Sequence, residues 1–434
     1  MTWPRVTVPT ELQHTELPWA LCEVCPTLVS ACRNIREVIV AREGETEDPD
    51  LVVLPDGRAF YLQRQLVNSL FGRVFHGIQG QCRNPNEPST FLMSSRPEEL
   101  FHVAVKRSSL AEMRRTPQEN VFREISVMRY LAERTGQMHG HQFVMPLVAA
   151  CMSETHVYVV TPYCGGGDLL KMVVPGEGTG EQQARKWFGQ ILLGLAYVHS
   201  KGLCHHDFSP ENVVITRMGD AAVVMDFGMV QLMPRGPQGE ILASQDAQRF
   251  GKLRYGESLL CEGPIGVSGI SSSKRGLQLR YNTVPGKGTS CIVPAVLSCF
   301  HRHFRAYLPS PIRRMRWGIE SGRYMAPEIW QNEEYDGRQI DIWSVGATLL
   351  VCLYGDYPWA APTRIPVETE GIYSSDIYSY TTLEQHGAGV MLERLNLIPR
   401  ISAAAADLLC QMLVVDRGLR PHSAARLAQH RFFS

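Results

Sequence analysis

Two stretches of this sequence decide its fold: His-His-Asp-Phe-Ser-Pro-Glu-Asn at residues 205–212 and Asp-Phe-Gly at residues 226–228. In the first stretch, Asp207 offers a carboxylate that can orient or deprotonate a hydroxyl group, and Asn212 follows with an amide oxygen for a metal ion. Asp226 follows an apolar segment, and its carboxylate is placed to bind a Mg²⁺ ion that bridges phosphates. These residue types are suited to holding a Mg²⁺ ion and phosphate groups beside a hydroxyl group.

A lysine and a glutamate nearer the N-terminus extend the pattern. Lys106 ends the strand-like segment Val103–Lys106, from which its ammonium group can reach the phosphates of a nucleotide. Glu124 follows in the middle of a predicted helix, where its carboxylate would hold that ammonium group in place. Glu119 and Glu133 lie on the same helical stretch and are the alternatives, but the spacing favours Glu124.

Ala-Pro-Glu at residues 326–328 closes the series, and the ordered set of motifs is much more specific than any one of them. From residue 58 to residue 434 the chain resembles the eukaryotic protein kinase superfamily, with a serine/threonine-type catalytic domain. The resemblance implies a two-lobed α+β fold, with a small β-rich N-lobe and a larger, mostly helical C-lobe. It also implies structural roles for Asp341, which would brace the catalytic loop, and for Arg420, which would pair with Glu328.

The resemblance further implies where a nucleotide binds. Residues 159–164 resemble the linker between the lobes, with Thr161 at the gatekeeper position. Ala104 and Val214 would enclose the adenine ring, and Asp168 would face the ribose. The implied nucleotide-binding residues are Leu66, Ser69, Gly72, Val74, Ala104, Lys106, Thr161, Pro162, Cys164, Asp168, Asn212, Val214 and Asp226.

The implied reaction is transfer of the γ-phosphoryl group of ATP to Ser or Thr hydroxyls of protein substrates, with Mg²⁺ as the second cofactor. The implied catalytic residues are Asp207, Lys106 and Glu124, and the implied metal ligands are Asn212 and Asp226.

The sequence also departs from the family pattern. Val67 and Ser69 occupy two of the usual glycine positions in the phosphate-binding loop, so we expect weaker ATP affinity or slower turnover. His206 replaces the arginine that usually precedes the catalytic aspartate, which puts control by loop phosphorylation in doubt. Ser209 stands where serine/threonine kinases usually have a lysine that contacts the transferring phosphate, so we expect slower phosphoryl transfer. The alternative interpretation is a pseudokinase that acts as an ATP-binding or protein-interaction scaffold.

The pattern along the chain predicts its organisation. Residues 1–57 read as an N-terminal extension of unknown role, and residues 58–434 as the kinase domain. Within it we expect an N-lobe at about 58–162, a C-lobe at about 163–434 and a disordered insertion at about 236–322. Alternating apolar residues predict strands at 59–67, 72–77, 101–106, 143–150 and 156–161. Helical spacing predicts helices at 118–133, 181–200, 341–354 and 403–414.

The activation segment is unusually long, with 103 residues from Asp226 to Glu328. Joining Tyr255 directly to Met325 would leave 34 residues and a continuous family-like phrase. Residues 256–324 are therefore interpreted either as an insertion or as an unspliced intron in the gene model.

Composition narrows the classes of protein. Of the 434 residues, 44% are hydrophobic and 20% are charged, which excludes a wholly disordered or collagen-like chain. Lysine plus arginine equals aspartate plus glutamate at 43 each, so charge favours neither nucleic acid nor a membrane surface as a partner. With no spanning apolar run and with scattered cysteines, we expect a soluble, cytoplasmic protein whose oligomeric state is open.

Overall fold

The computed structural model describes part of the chain. The described residues are 6–7, 37–40, 51–54, 56–83, 91–94, 96–115, 121–132, 140–153, 155–233, 322–330, 335–359 and 374–434. Most of the predicted N-terminal extension and almost all of the predicted insertion lie outside these residues. The chain divides into two compact units: the first comprises residues 1–171, 187–205 and 210–231, and the second comprises residues 172–186, 206–209 and 232–434.

A sheet of nine strands, counted over the described residues, organises the first unit. Its strands are β1 (Val6–Thr7), β2 (Glu37–Val40), β3 (Leu51–Val53), β4 (Arg58–Ser69), β5 (Gly72–Cys82), β6 (Phe91–Leu92), β7 (Phe101–Ser109), β8 (Ala149–Met152) and β9 (His156–Pro162). The order is β1-β2-β8-β9-β7-β5-β4-β3, and β6 pairs with β5. All pairs are antiparallel except β2 with β8.

One face of this sheet carries an apolar core, because side chains on alternate positions of β4, β7 and β9 point to the same side. The buried residues of this core are Val52, Leu54, Phe60, Leu62, Val103, Val105, Ala149, Cys151, Tyr158 and Val160. Strand β3 pairs with β4, so the sheet includes residues on the N-terminal side of the predicted start at residue 58.

Further elements of the first unit follow the sheet. They are α1 (Leu110–Arg115), α2 (Val121–Ala132), β10 (Gly167–Asp168), β11 (Leu203–Cys204), β12 (Val213–Ile215) and β13 (Ala222–Val224). Helix α3 (Glu181–Ser200) begins in the second unit and ends in the first. The hydroxyl of Tyr197 in α3 donates to the carbonyl oxygen of Leu131 in α2 at 2.6 Å, which joins the two helices. Both helices confirm the sequence prediction.

The strand predicted at residues 143–150 is wrong for most of its length. Residues His141–Phe143 form a 3₁₀ turn, and β8 begins only at Ala149. The N–H group of Met145 donates instead to the carbonyl oxygen of Val224 in β13, at 2.9 Å. Pro146 follows and has no N–H group to offer a ladder.

Helices organise the second unit. Its helices are α4 (Pro327–Trp330), α5 (Gly337–Tyr354), α6 (Ser374–Arg394), α7 (Ala403–Met412) and α8 (Ala424–Leu427), and β14 (Gln231–Leu232) lies where the units divide. Helix α6 is interrupted at Gly387. Helix α5 is buried over nearly its whole length, and a Cβ added to Gly346 would lie 2.8 Å from the Cβ of Met412 in α7. The small residue therefore permits the close contact of these two helices.

A buried ion pair ties the second unit together. Arg420 donates to both carboxylate oxygens of Glu328, at 2.6 and 3.1 Å, and both side chains are almost fully buried. Arg420 also donates to the carbonyl oxygen of Val414 at 2.8 Å. The pair implied by the resemblance is present, and it is structural because it anchors α4 to the chain that follows α7.

Candidate active site

The structure brings Lys106 and Glu124 together in the first unit. Lys106 lies near the end of β7 and Glu124 lies in the first turn of α2; their Nζ and Oε2 atoms are 2.8 Å apart. The glutamate side chain is 9% exposed and the lysine side chain 25% exposed. Burial raises the pKa of Glu124, and the charge of Asp226 adds to this effect, whereas Lys106 opposes it. The charge of Lys106 therefore favours the ionised form of the buried Glu124 carboxylate.

The backbone segments that carry Asn212 and Asp226 lie side by side. Strands β12 and β13 pair immediately after Asn212 and before Met225, and the N–H of Met225 donates to the carbonyl oxygen of Asn212 at 2.9 Å. Asp226 has a φ of 63°, a left-handed conformation that is uncommon outside glycine and that occurs at functional sites. Its Oδ1 accepts the N–H of Gly228 at 3.3 Å.

Two of the residues implied for the nucleotide site, Ala104 and Thr161, lie side by side on one face of the sheet. Ala104 of β7 is directly opposite Thr161 of β9, and Lys106 is directly opposite Val74 of β5. Because alternate residues share a face, Ala104 and Lys106 point away from the apolar core of Val103 and Val105. Ala104, Thr161, Pro162 and Cys164 are all partly exposed.

The predicted phosphate-binding loop is the hairpin between β4 and β5. Ser69 pairs with Gly72 across a two-residue turn. A Cβ added to Gly72 would lie 2.1 Å from the carbonyl oxygen of Arg107, so only glycine fits there without movement of the backbone. Leu66 and Val67 are exposed. Val67, one of the two residues that replace glycine in this loop, is therefore accommodated by exposure to solvent, whereas the hydroxyl oxygen of Ser69, the other one, is buried.

Asp168 is already engaged within its own segment. It pairs with Val214 across strands β10 and β12, which places it beside a residue implied for the adenine pocket. Its Oδ1 accepts the N–H of Lys171 at 3.0 Å, and its Oδ2 forms an ion pair with the ammonium of Lys171. A ribose hydroxyl would share this carboxylate with Lys171.

Asp207 belongs to the second unit, where the backbone beside it is fixed. The N–H of His206 donates to Oδ1 of the fully buried Asp341 at 2.7 Å, so Asp341 braces the loop as the resemblance implies. His206 has a φ of 69°, and its ring lies 5.2 Å from that of Tyr335. Both the backbone and the ring of His206 therefore make contacts that fix its position.

His205 is a supporting residue that the sequence interpretation did not single out. It is fully buried in the first unit, and its Nε2 lies 2.9 Å from the carbonyl oxygen of Met225, the residue before Asp226. Its ring packs 5.5 Å from the ring of Phe227. The sequence does mark this residue, because two consecutive histidines, His205 and His206, precede Asp207.

A family model described as the protein kinase domain matches residues 93–250 and 313–433, which is more than half of the chain. The curated relatives include CBL-interacting serine/threonine-protein kinase 16 of Arabidopsis thaliana, 25% identical over 301 residues that cover 69% of this chain and 45% of the relative. CBL-interacting serine/threonine-protein kinase 8 of the same plant is 33% identical over 139 residues, which cover 32% of this chain and 29% of the relative. Serine/threonine-protein kinase SAPK3 of Oryza sativa subsp. indica is 25% identical over 245 residues, which cover 56% and 48%.

The chain spans less than half the length of these relatives. Among the residues that the structure describes, no helix is long and apolar enough to cross a membrane. The family match, the sheet with its paired lysine and glutamate, and the helical second unit confirm the predicted α+β kinase fold and the resemblance to serine/threonine-type kinases. The chain belongs to the protein kinase domain family.

Proposed function

We propose that this chain is an ATP- and Mg²⁺-dependent protein kinase that transfers the γ-phosphoryl group to Ser or Thr hydroxyls of protein substrates. The observation that carries the proposal is the 2.8 Å ion pair between Lys106 and the buried Glu124. A charged pair that is partly removed from water costs free energy to maintain, so its presence beside Asp226 favours a role in binding phosphates.

The donor groups fit the proposed Mg²⁺. Hard divalent cations of this size prefer oxygen ligands, and Asp226 offers a carboxylate while Asn212 offers an amide oxygen. The hydrogen bond between Met225 and Asn212 keeps these two donors on neighbouring backbone segments. When bound, Mg²⁺ would neutralise charge on the phosphate oxygens.

Each remaining residue has a simple task in this proposal. Lys106 binds and orients phosphate oxygens, and Glu124 keeps its ammonium group in position. Asp207 orients the substrate hydroxyl and accepts its proton, while the backbone contact of His206 with Asp341 holds that loop segment in place. Positioning and charge neutralisation carry most of the rate in phosphoryl transfer, so few further groups are needed.

The rest of the proposed nucleotide site consists of further residues of the first unit. Its residues are those implied by the family: Leu66, Ser69, Gly72, Val74, Ala104, Thr161, Pro162, Cys164, Asp168 and Val214. The exposed Val67 leads us to propose a lower affinity for ATP than a glycine at this position would give. The pseudokinase alternative gains no support from the relatives named above, and we do not propose it.

We also propose that residues 236–322 are an insertion in the activation segment. The family match omits residues 251–312, which lie within this stretch, and this supports the proposal. We further propose a cytoplasmic location, since Cys82, Cys352 and Cys410 are free thiols.

Nucleotide binding tests the proposed site. Isothermal titration of ADP with Mg²⁺ into the full chain should give a dissociation constant that rises at least about tenfold in Lys106→Met, because a hydrogen bond to a charged group contributes about 1.5–3 kcal/mol. The matched control is Lys186→Met, which removes an exposed lysine of α3 and should leave the affinity unchanged. Equal affinities of Lys106→Met and the wild type would contradict the proposed site.

A further inference from the structure

Three rings with no role in the proposed reaction lie together in the first unit. They belong to His76 of β5, His102 of β7 and Tyr163, which follows β9. His76 is directly opposite Ala104, and His102 is two residues before Ala104 on the same strand. By the alternation of side chains in strands, both histidines share the sheet face that carries Ala104 and Lys106.

The two imidazoles are in direct contact. Nε2 of His76 lies 3.0 Å from Nδ1 of His102, and the ring centroids are 5.1 Å apart with the planes inclined by 20°. The ring of Tyr163 lies 4.5 Å from that of His76, and the N–H of Tyr163 donates to the carbonyl oxygen of His102 at 3.0 Å. The cluster therefore fixes β5, β7 and the chain after β9 to one another.

This spacing matches what a shared metal ion requires. Neutral imidazole is a frequent ligand of Zn²⁺, with Zn–N distances of about 2.0–2.1 Å. Two such nitrogens on one tetrahedral ion lie about 3.3 Å apart, so His76 and His102 need to separate by only a few tenths of an ångström. His102 is exposed and His76 partly exposed, so water can complete the coordination.

We propose that His76 and His102 form a chelating site for a divalent transition-metal ion of the Zn²⁺ type. On binding, each nitrogen donates its lone pair to the ion, and the proton shared between the rings moves to the far nitrogen of its own imidazole. The other described groups that act on His76 lie on a neighbouring strand or directly after one. Tyr163 packs against its ring, and Arg64, opposite it on β4, brings a positive charge that weakens binding of a cation.

Burial lowers the pKa of His76, and the charges of His102 and Arg64 lower it further. The lowered pKa favours the neutral imidazole, which is the form that binds metals.

The site also bears on nucleotide binding, and this part rests on the proposed function. His76 and Tyr163 border Ala104 and the linker that is proposed to meet adenine. An ion with its bound waters at this edge should lower the affinity for adenosine.

Titration of Zn²⁺ into the metal-free full chain tests the site directly, without nucleotide. The chain has 12 cysteines and 14 histidines, so the readout is the difference in bound equivalents between the wild type and variants. The double variant His76→Gln/His102→Asn should lose one equivalent, and each single variant should bind roughly tenfold more weakly or worse, since even outer-shell changes cost roughly 10- to 100-fold. The control, His156→Gln, changes a histidine of β9 that contacts Thr155 and should bind like the wild type.

Arg64→Gln should have the opposite effect and bind this one equivalent of Zn²⁺ more tightly, because the substitution removes a positive charge that repels the cation. Equal thermal midpoints of the metal-free proteins establish that the variants fold. If the double variant binds as many equivalents as the wild type with the same affinities, the proposal is wrong. Adenosine, which lacks the phosphates that chelate Zn²⁺, then tests the coupling. A failure there, with Zn²⁺ binding intact, would contradict the coupling and the adenine position but not the metal site.

Discussion

Replacing Glu328 by glutamine should strongly destabilise the second unit. The substitution keeps the shape of the side chain and removes its charge, which leaves the guanidinium of Arg420, only 2% exposed, without its bidentate partner. Breaking a buried ion pair from one side costs about 3–5 kcal/mol, because the remaining charge is uncompensated. That is a large part of the roughly 5–15 kcal/mol by which domains are stable.

Urea unfolding followed by tryptophan fluorescence measures this loss. The ring of Trp343 lies 4.8 Å from the guanidinium carbon of Arg420, so the signal includes the region of the pair. The matched control is Asp407→Asn, which weakens a partly exposed cluster with Arg431 and His430 in the same unit and should cost about 0–1 kcal/mol. A loss in Glu328→Gln that is no greater than the loss in the control would refute this reasoning.

Two further predictions concern the first unit: the effect of a side chain at Gly72, with Gly389 of the second unit as the control, and the effect of low pH on nucleotide binding. Gly72→Ala should lower the unfolding midpoint, because its Cβ would meet the carbonyl oxygen of Arg107. Gly389→Ala, whose added Cβ would lie 3.9 Å from Cys410 Sγ, the nearest described atom outside its own helix backbone, should be neutral or stabilising by up to about 1 kcal/mol; equal effects in thermal unfolding would contradict the steric argument. Lowering the pH should weaken Mg²⁺–ADP binding, because the raised pKa of Glu124 protonates the partner of Lys106 at a higher pH than usual. The raised pKa also gives Glu124 a contribution to folding stability that is present at low pH and is lost as pH rises, so this contribution and nucleotide binding change in opposite directions on acidification.

Local patterns in the sequence were sufficient for the long elements. Helix α3 has the predicted bounds, Glu181–Ser200, because its apolar positions recur with helical spacing over five turns. The spacing between Lys106 and Glu124 also predicted a pair that the structure shows in contact. In both cases the information lies within a short stretch or in a fixed distance along the chain.

Features that depend on distant partners were not accessible in this way. The strand predicted at residues 143–150 failed because the backbone of Met145 finds its partner at Val224, far along the chain. The ion pair of Asp168 with Lys171 has an ordinary spacing that no motif marks. The contact of His76 with His102 arises from the register of β5 against β7, which alternation alone does not set.

Mg²⁺-dependent transfer of labelled phosphate from ATP to a generic basic protein tests the central claim most directly. The full chain and a version that joins Tyr255 to Met325 should both be compared with their Asp207→Asn variants. We expect transfer that Asp207→Asn lowers by about 10²- to 10⁴-fold, and a gain when residues 256–324 are removed. Transfer no higher than in the Asn variants, from chains that fold and bind Mg²⁺–ADP, would contradict the account.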